Sequence, residues 1–168
     1  AAYTDLLSRH QDIVIMGDSA GGGPAMALAE AISKTDYAQP NAMVLMSPWC
    51  DLTCSGPTID SNRKIDPMLH PLWLTSSAEM YAASTAKDEP GLSPLFGDMS
   101  GYPRTLIQVG SDEILLSDST RAESAMKEAG VDVTLQVSEG MWHVFQFHAA
   151  FLKPSKKAVY RIGEFLRQ

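Results

Sequence analysis

The segment that most restricts the fold spans residues 13–32 and reads IVIMGDSAGGGPAMALAEAI. Its first four residues are apolar and typical of a buried strand, and the alanine-rich residues after the glycines are typical of a helix. Ser19 therefore lies at the corner between the two elements, where crowding favours small neighbours such as Gly17 and Gly21. The segment predicts a strand, a tight turn and a helix, with the Ser19 hydroxyl at the carboxyl end of the strand.

Strand-type and helix-type segments alternate along the chain. The predicted strands are apolar runs bounded by turn residues, at 13–16, 42–47, 105–110 and 133–138. The predicted helices lie at 25–34, 117–130 and 153–168, and Gly130 is placed like the residue that ends a helix. This alternation predicts an α/β fold with a mostly parallel sheet flanked by helices. Residues 54–92 interrupt it as a long excursion that either lines a pocket or only packs on the domain.

Composition excludes several classes of function. The chain has 168 residues, 45% of them hydrophobic and 20% charged, which is typical of a globular domain with a sizeable core. A net charge of −7 without a basic stripe argues against nucleic-acid binding, and no apolar run is long enough to span a membrane. Cys50 and Cys54 have neither zinc-ligand nor disulfide spacing. We therefore predict no metal or other cofactor and a cytoplasmic location.

A serine at such a corner is suited to act as a nucleophile when a histidine and an acid lie near it. Of the four histidines, His143 is the predicted base because it closely follows the last predicted strand. His10 precedes the first strand, His70 lies in the excursion, and His148 is expected to be a packed or surface residue. The Ala20 N–H, at the start of the helix, is the predicted donor to an oxyanion.

The predicted acid is Asp112, two residues beyond the third predicted strand. Its rivals are Glu113, expected to point away from its neighbour, Asp118, expected to begin the next helix, and Asp51. With Asp112 the order along the chain is serine, acid, histidine, which is the order of α/β-hydrolases. Chymotrypsin-type proteases, whose GDSGGP string resembles GDSAGGGP here, place histidine and acid before the serine, so that likeness is coincidental.

Four stretches together resemble the hormone-sensitive-lipase-like family of α/β-hydrolase carboxylesterases. They are GDSAGG at 17–22, SPWCDLT at 47–53, SPLFGDMSGYPRTLIQVGSDEILLSDS at 93–119 and EGMWHVFQ at 139–146. They span nearly the whole chain in the family's order. The resemblance implies Ser19 as nucleophile, Asp112 as orienting acid, His143 as base and the Ala20 N–H as one oxyanion donor, the residues that spacing also selects.

One feature of that family is absent from the sequence. The family's other oxyanion donors come from an HGGG-type loop before the nucleophile strand, and the 168 residues contain no such string. We therefore expect residues 1–168 to be the C-terminal half of one α/β-hydrolase catalytic domain, with the upstream strands missing, and to be nearly inactive alone. The predicted partners are the N-terminal part of the same enzyme and, through the last strand or helix, a second copy in a homodimer.

These residues predict a serine esterase that cleaves short- to medium-chain or compact hydrophobic esters through an acyl-enzyme. The predicted lining of its apolar pocket is Trp49, Met68, Trp73 and Met141. Two alternatives stay open. One is a serine peptidase or amidase on the same fold, and the other is a small-molecule binding protein without catalysis.

Overall fold

The computed structural model describes residues 2–168, so residue 1 of the predicted domain 1–168 lies outside the described residues. Four strands form one sheet in the order β1-β2-β3-β4, and all three pairings are parallel. Their bounds are Val14–Asp18 (β1), Ala42–Met46 (β2), Thr105–Gly110 (β3) and Val133–Ser138 (β4). The predicted parallel sheet is confirmed, and each strand lies within about one or two residues of its predicted position.

Helices connect and flank these strands. Their bounds are Ala2–Leu7 (α1), Gly22–Ser33 (α2), Thr58–Ser61 (α3), Pro71–Ala82 (α4), Leu116–Glu128 (α5) and Lys153–Leu166 (α6). Gly130 ends α5 as predicted. Its N–H donates to the Lys127 carbonyl, and its φ of +80° lets the Val131 N–H reach the carbonyl of Met126. No helix within residues 2–168 is long and apolar enough to cross a membrane.

The core lies on both faces of β2 and β3, whose apolar side chains are almost fully buried. On one face, Leu45 and Ile107 belong to a cluster with Met26 of α2 and Met126 of α5. On the other face, Val44 and Leu106 pack with Ile162 of α6. Near-continuous apolar strands are what a sheet covered on both faces requires. The strands' carboxyl ends, where the catalytic candidates lie, are therefore held by a well-packed layer.

The excursion at 54–92 has an apolar cluster of its own. Ile59 of α3 and Leu74 of α4 pack against Trp49, Ile114 and Leu115, which lie in the loops after β2 and β3. This packing places the excursion over the carboxyl ends of the strands. Ligands bind at that edge in open parallel sheets.

Candidate active site

Ser19 lies directly after β1 and begins a short 3-10 turn, Ser19–Gly21, that leads into α2. Its φ of +50° is in the left-handed region, which a serine rarely adopts and which produces a sharp corner. Its carbonyl accepts a hydrogen bond from the Trp49 N–H at 2.8 Å, which ties the loop after β2 to the corner. The structure therefore has the strand, tight turn and helix that the sequence predicts.

The two glycines around Ser19 differ in how much space surrounds them. A Cβ atom at Gly17 would lie 2.4 Å from the Gly21 carbonyl oxygen, so only glycine fits there. A Cβ atom at Gly21 would meet no atom of residues 2–168 within 4 Å apart from the adjacent backbone. The prediction that crowding favours a small residue is confirmed for Gly17, and it is wrong for Gly21 within residues 2–168. The tight contacts on the helix side fall instead at Gly22 and Gly23, against Pro48 and Trp49.

Ser19 and His143 are brought together as predicted, but the acid beside His143 is Glu113. The His143 Nε2 atom lies 2.8 Å from the Ser19 hydroxyl, and Nδ1 lies 2.8 Å from Glu113 Oε2. The Glu113 side chain is completely buried and that of His143 is 3% exposed. A buried carboxylate at Nδ1 keeps the proton there, so Nε2 is left free to accept the serine proton.

Asp112, the predicted acid, makes no hydrogen bond to His143. Its N–H donates to the Met141 carbonyl, and its Oδ1 atom accepts a hydrogen bond from the Ser111 hydroxyl at 2.7 Å. The side chains of adjacent residues in this turn face different sides, as the sequence argument assumed, but Glu113 is the one that faces inward.

The second oxygen of the Glu113 carboxylate is also held. Oε1 accepts hydrogen bonds from the Gly110 N–H and from the Ser47 hydroxyl. Ser47 is the residue that follows β2, and sequence reasoning gave it no role. A carboxylate with every oxygen paired is fixed in orientation as well as in charge.

Residues of the excursion form hydrogen bonds to the acid-bearing turn, residues 111–114, which carries Glu113. The Asn62 side-chain amide donates to the carbonyls of Ser111 and Glu113, both at 3.1 Å. The Asp66 carboxylate accepts from the Ile114 N–H at 2.8 Å. The excursion therefore positions the acid in addition to covering the sheet edge, a role that no local pattern in the sequence indicates.

A cavity of about 390 Å³ opens beside Ala20. Mostly apolar residues line it: Ala20, Gly23, Pro24, Trp49, Leu52, Ser77, Met80, Tyr81 and Leu92. Of the four predicted lining residues only Trp49 is among them. Met68 and Trp73 instead line a separate groove on the outer side of the excursion. Met141 is not among the residues that line the cavity, and its carbonyl accepts a hydrogen bond from the Asp112 N–H.

The other candidate residues lie outside this arrangement. His10 is exposed, and the His70 ring caps α4 by accepting from the Leu72 N–H at 3.3 Å. His148 packs edge to face on Trp142, with 5.5 Å between the ring centroids. Within residues 2–168 no group of three or more His, Cys, Asp or Glu side chains is arranged to hold a metal ion.

Asp118 lies in the first turn of α5, as predicted, but it does not cap that helix. Its Oδ2 atom accepts the N–H groups of Cys50 and Asp51, both at 3.0 Å, while its Oδ1 atom is buried without a partner within residues 2–168. Burial raises the pKa of Asp118 to about 7, and the Asp51 charge adds to the rise. The Asp51 carboxylate itself is paired with Arg121 at 2.7 Å. Asp118 therefore anchors the loop after β2, whose Trp49 contacts the serine corner.

Asp118→Asn is expected to stabilise the fold by about 2 kcal/mol at pH 8 and to lose this advantage at pH 5. In the native state the pKa lies above the unfolded value, so the wild-type carboxyl contributes stability below about pH 4 that disappears as the pH rises through 7. A shift of three units corresponds to about 4 kcal/mol, part of which is offset by the newly buried amide NH₂ group.

Denaturant unfolding at pH 5, 6, 7 and 8 measures this difference. Asp36→Asn, the same change at an exposed position, is the matched control and is expected to follow the wild-type pH dependence. An advantage of Asp118→Asn that is equal at all four pH values would show that the Asp118 carboxyl is ionised throughout.

The geometry defines a class of protein: an α/β fold with a serine at a strand-to-helix turn and a Ser–His–Glu arrangement at the sheet's carboxyl edge. Comparison with known proteins agrees on the fold. The family described as alpha/beta hydrolase fold matches residues 3–147. The chain belongs to that family, and its similarity to solved esterases places it in the hormone-sensitive-lipase-like branch.

The similarity to named relatives extends over almost the whole chain. An esterase from Acinetobacter venetianus is 38% identical over 92% of this chain and 52% of its own length, and an acetyl-hydrolase from Streptomyces hygroscopicus is 37% identical over 99% and 57%. A solved esterase of the bacterial hormone-sensitive lipase family is 39% identical with a TM-score of 0.96, covering 99% of this chain and 57% of that one. The chain thus spans little more than half the length of these relatives.

Proposed function

We propose that this chain carries the catalytic residues of a serine carboxylesterase. The observation that carries the proposal is the continuous hydrogen-bonded series from Ser19 through His143 to Glu113, with 2.8 Å at each step. The names of the relatives, esterase and acetyl-hydrolase, support ester hydrolysis as the reaction.

In the proposed mechanism His143 Nε2 removes the Ser19 proton as the hydroxyl oxygen attacks the ester carbonyl. Glu113 holds the Nδ1 proton and stabilises the imidazolium that forms. The imidazolium then gives its Nε2 proton to the leaving alcohol, which produces an acyl-enzyme on Ser19. Water, activated by the same imidazole, releases the carboxylic acid and restores the serine.

The proposed oxyanion donor within this chain is the Ala20 N–H. It lies at the start of a helical turn, where backbone N–H groups have no partner within the helix. Because the chain lacks an HGGG-type string, we propose that the remaining donors come from a preceding part of the natural protein. The limited coverage of the relatives supports this proposal.

The apolar cavity beside Ala20 supports a short- to medium-chain or compact hydrophobic ester as substrate. A cytoplasmic location and a homodimer through β4 or α6 stay predictions. Both cysteines are free thiols in the structure, which is consistent with a reducing compartment.

Labelling with a fluorophosphonate tests the proposal directly. The natural protein that contains this chain is expected to form one covalent adduct and to hydrolyse p-nitrophenyl butyrate. Peptide mass spectrometry is expected to locate the adduct on the peptide that contains Ser19. The Ser19→Ala variant is expected to lose both the adduct and the hydrolysis. An adduct on another serine, or turnover that survives in Ser19→Ala, would remove Ser19 from the mechanism.

The same protein distinguishes the two alternatives. An anilide analogue of the ester tests a peptidase or amidase, which is expected to cleave the anilide as well as the ester, whereas an esterase is expected to cleave only the ester. A binding protein without catalysis is expected to bind the ester while forming no adduct. The intact contacts of His143 with both Ser19 and Glu113 favour catalysis over binding alone.

A further inference from the structure

Ser47 follows β2 and lies between the acid-bearing turn and the segment that carries the histidine. Its side chain is fully buried. The hydroxyl donates a hydrogen bond to Glu113 Oε1 at 2.8 Å and accepts one from the Val144 N–H at 3.1 Å. Val144 directly follows His143. One hydroxyl group thus joins the carboxylate of the proposed acid to the backbone of the proposed base.

The backbone of Ser47 indicates why this residue is a serine. Its φ of +48° is in the left-handed region, which glycine adopts without strain and in which other residues are strained. Its N–H donates to the Gln108 carbonyl at 2.7 Å, which holds this conformation in place. A glycine here would relieve the strain but would make neither side-chain hydrogen bond. Serine provides the hydroxyl although its backbone is strained at this φ.

We infer that Ser47 is a positioning residue for the esterase reaction, an inference that rests on the proposed function. Ser47 acts through Glu113 and His143 and has no contact with the reacting serine. Without its hydroxyl, the buried Val144 N–H has no acceptor at this position, and Glu113 Oε1 keeps only the Gly110 N–H as donor. Relaxation of these groups moves the histidine segment away from the acid and weakens the contact between His143 Nδ1 and Glu113 Oε2.

Two variants separate the hydroxyl from the backbone strain. Ser47→Ala and Ser47→Gly both remove the hydroxyl, but only the glycine variant relieves the strain. Both are expected to lower kcat about 10- to 100-fold with KM changed less than about threefold. Ser155→Ala is the matched control, because its hydroxyl is also buried but has no partner within residues 2–168. We expect Ser155→Ala to keep the wild-type kcat.

A second readout does not depend on turnover. In protein labelled with ¹⁵N-histidine, the Nδ1 proton of His143 is expected to give a low-field resonance in the wild type and to exchange faster with solvent in both Ser47 variants. Wild-type kcat in Ser47→Gly with loss in Ser47→Ala would assign the effect to backbone strain and overturn the inference. An Nδ1 resonance and a kcat that are unchanged in both Ser47 variants would also overturn the inference. A wild-type protein that forms no fluorophosphonate adduct would instead refute the proposed function, while the Nδ1 resonance still decides whether Ser47 holds the histidine.

Discussion

Replacing Glu113 by Gln is expected to lower kcat about 10³- to 10⁴-fold, whereas Asp112→Asn is expected to stay within about threefold of the wild type. Glu113 uses both carboxylate oxygens: Oε2 faces the His143 Nδ1 proton, and Oε1 accepts from Gly110 and Ser47. A glutamine has only one oxygen, so its NH₂ group must face either the histidine or those two donors. If it faces the histidine, Nδ1 loses its proton and Nε2 becomes protonated, which prevents it from accepting the serine proton.

The pair of variants is matched, because each exchanges one carboxylate for an amide at adjacent positions of the same turn. Steady-state kinetics on p-nitrophenyl butyrate, with the folded fraction checked by circular dichroism, measures the difference. A large loss in Asp112→Asn with little loss in Glu113→Gln would return the acid to Asp112 and contradict the observed hydrogen bonds.

This pair also shows where sequence reasoning ends. The distance of a residue from the end of β3 identifies the turn that carries the acid, but it does not give the backbone angles that turn one side chain inward. Asp112 and Glu113 both satisfy the spacing argument. The backbone of this turn is held by hydrogen bonds to Met141, Asn62 and Asp66, which are distant in the sequence, and in that backbone Glu113 is the inward residue.

The fold was predictable to a much greater extent than the supports of the site. Strand and helix positions follow from local apolar patterns, and the serine corner follows from Gly17 and Ser19 themselves. The roles of Ser47, Asp66 and Asp118 depend on hydrogen bonds to residues more than 40 positions away. No periodicity or local motif encodes such contacts, so only the folded chain reveals them.

The second large effect is expected at Gly17. Gly17→Ala is expected to destabilise the fold by about 3 kcal/mol or more and to abolish ester hydrolysis, because the new methyl group would lie 2.4 Å from the Gly21 carbonyl oxygen and 3.0 Å from the Ala25 Cβ atom. Backbone atoms lie on the crowded side, so a change of side-chain rotamer cannot relieve the contact. The turn itself must open, which moves the Ser19 hydroxyl away from His143.

Gly21→Ala provides the control, since the same methyl group at that position meets no atom of residues 2–168 within 4 Å apart from the adjacent backbone. Gly21 has φ −79° and ψ −17°, which alanine adopts readily, so we expect this variant to be as stable as the wild type or up to about 1 kcal/mol more stable. Thermal and denaturant unfolding of the two variants decides the prediction. Equal stability of Gly17→Ala and Gly21→Ala would mean that the turn accommodates a side chain at Gly17. Strong destabilisation by Gly21→Ala would instead mean that another part of the natural protein packs on this glycine.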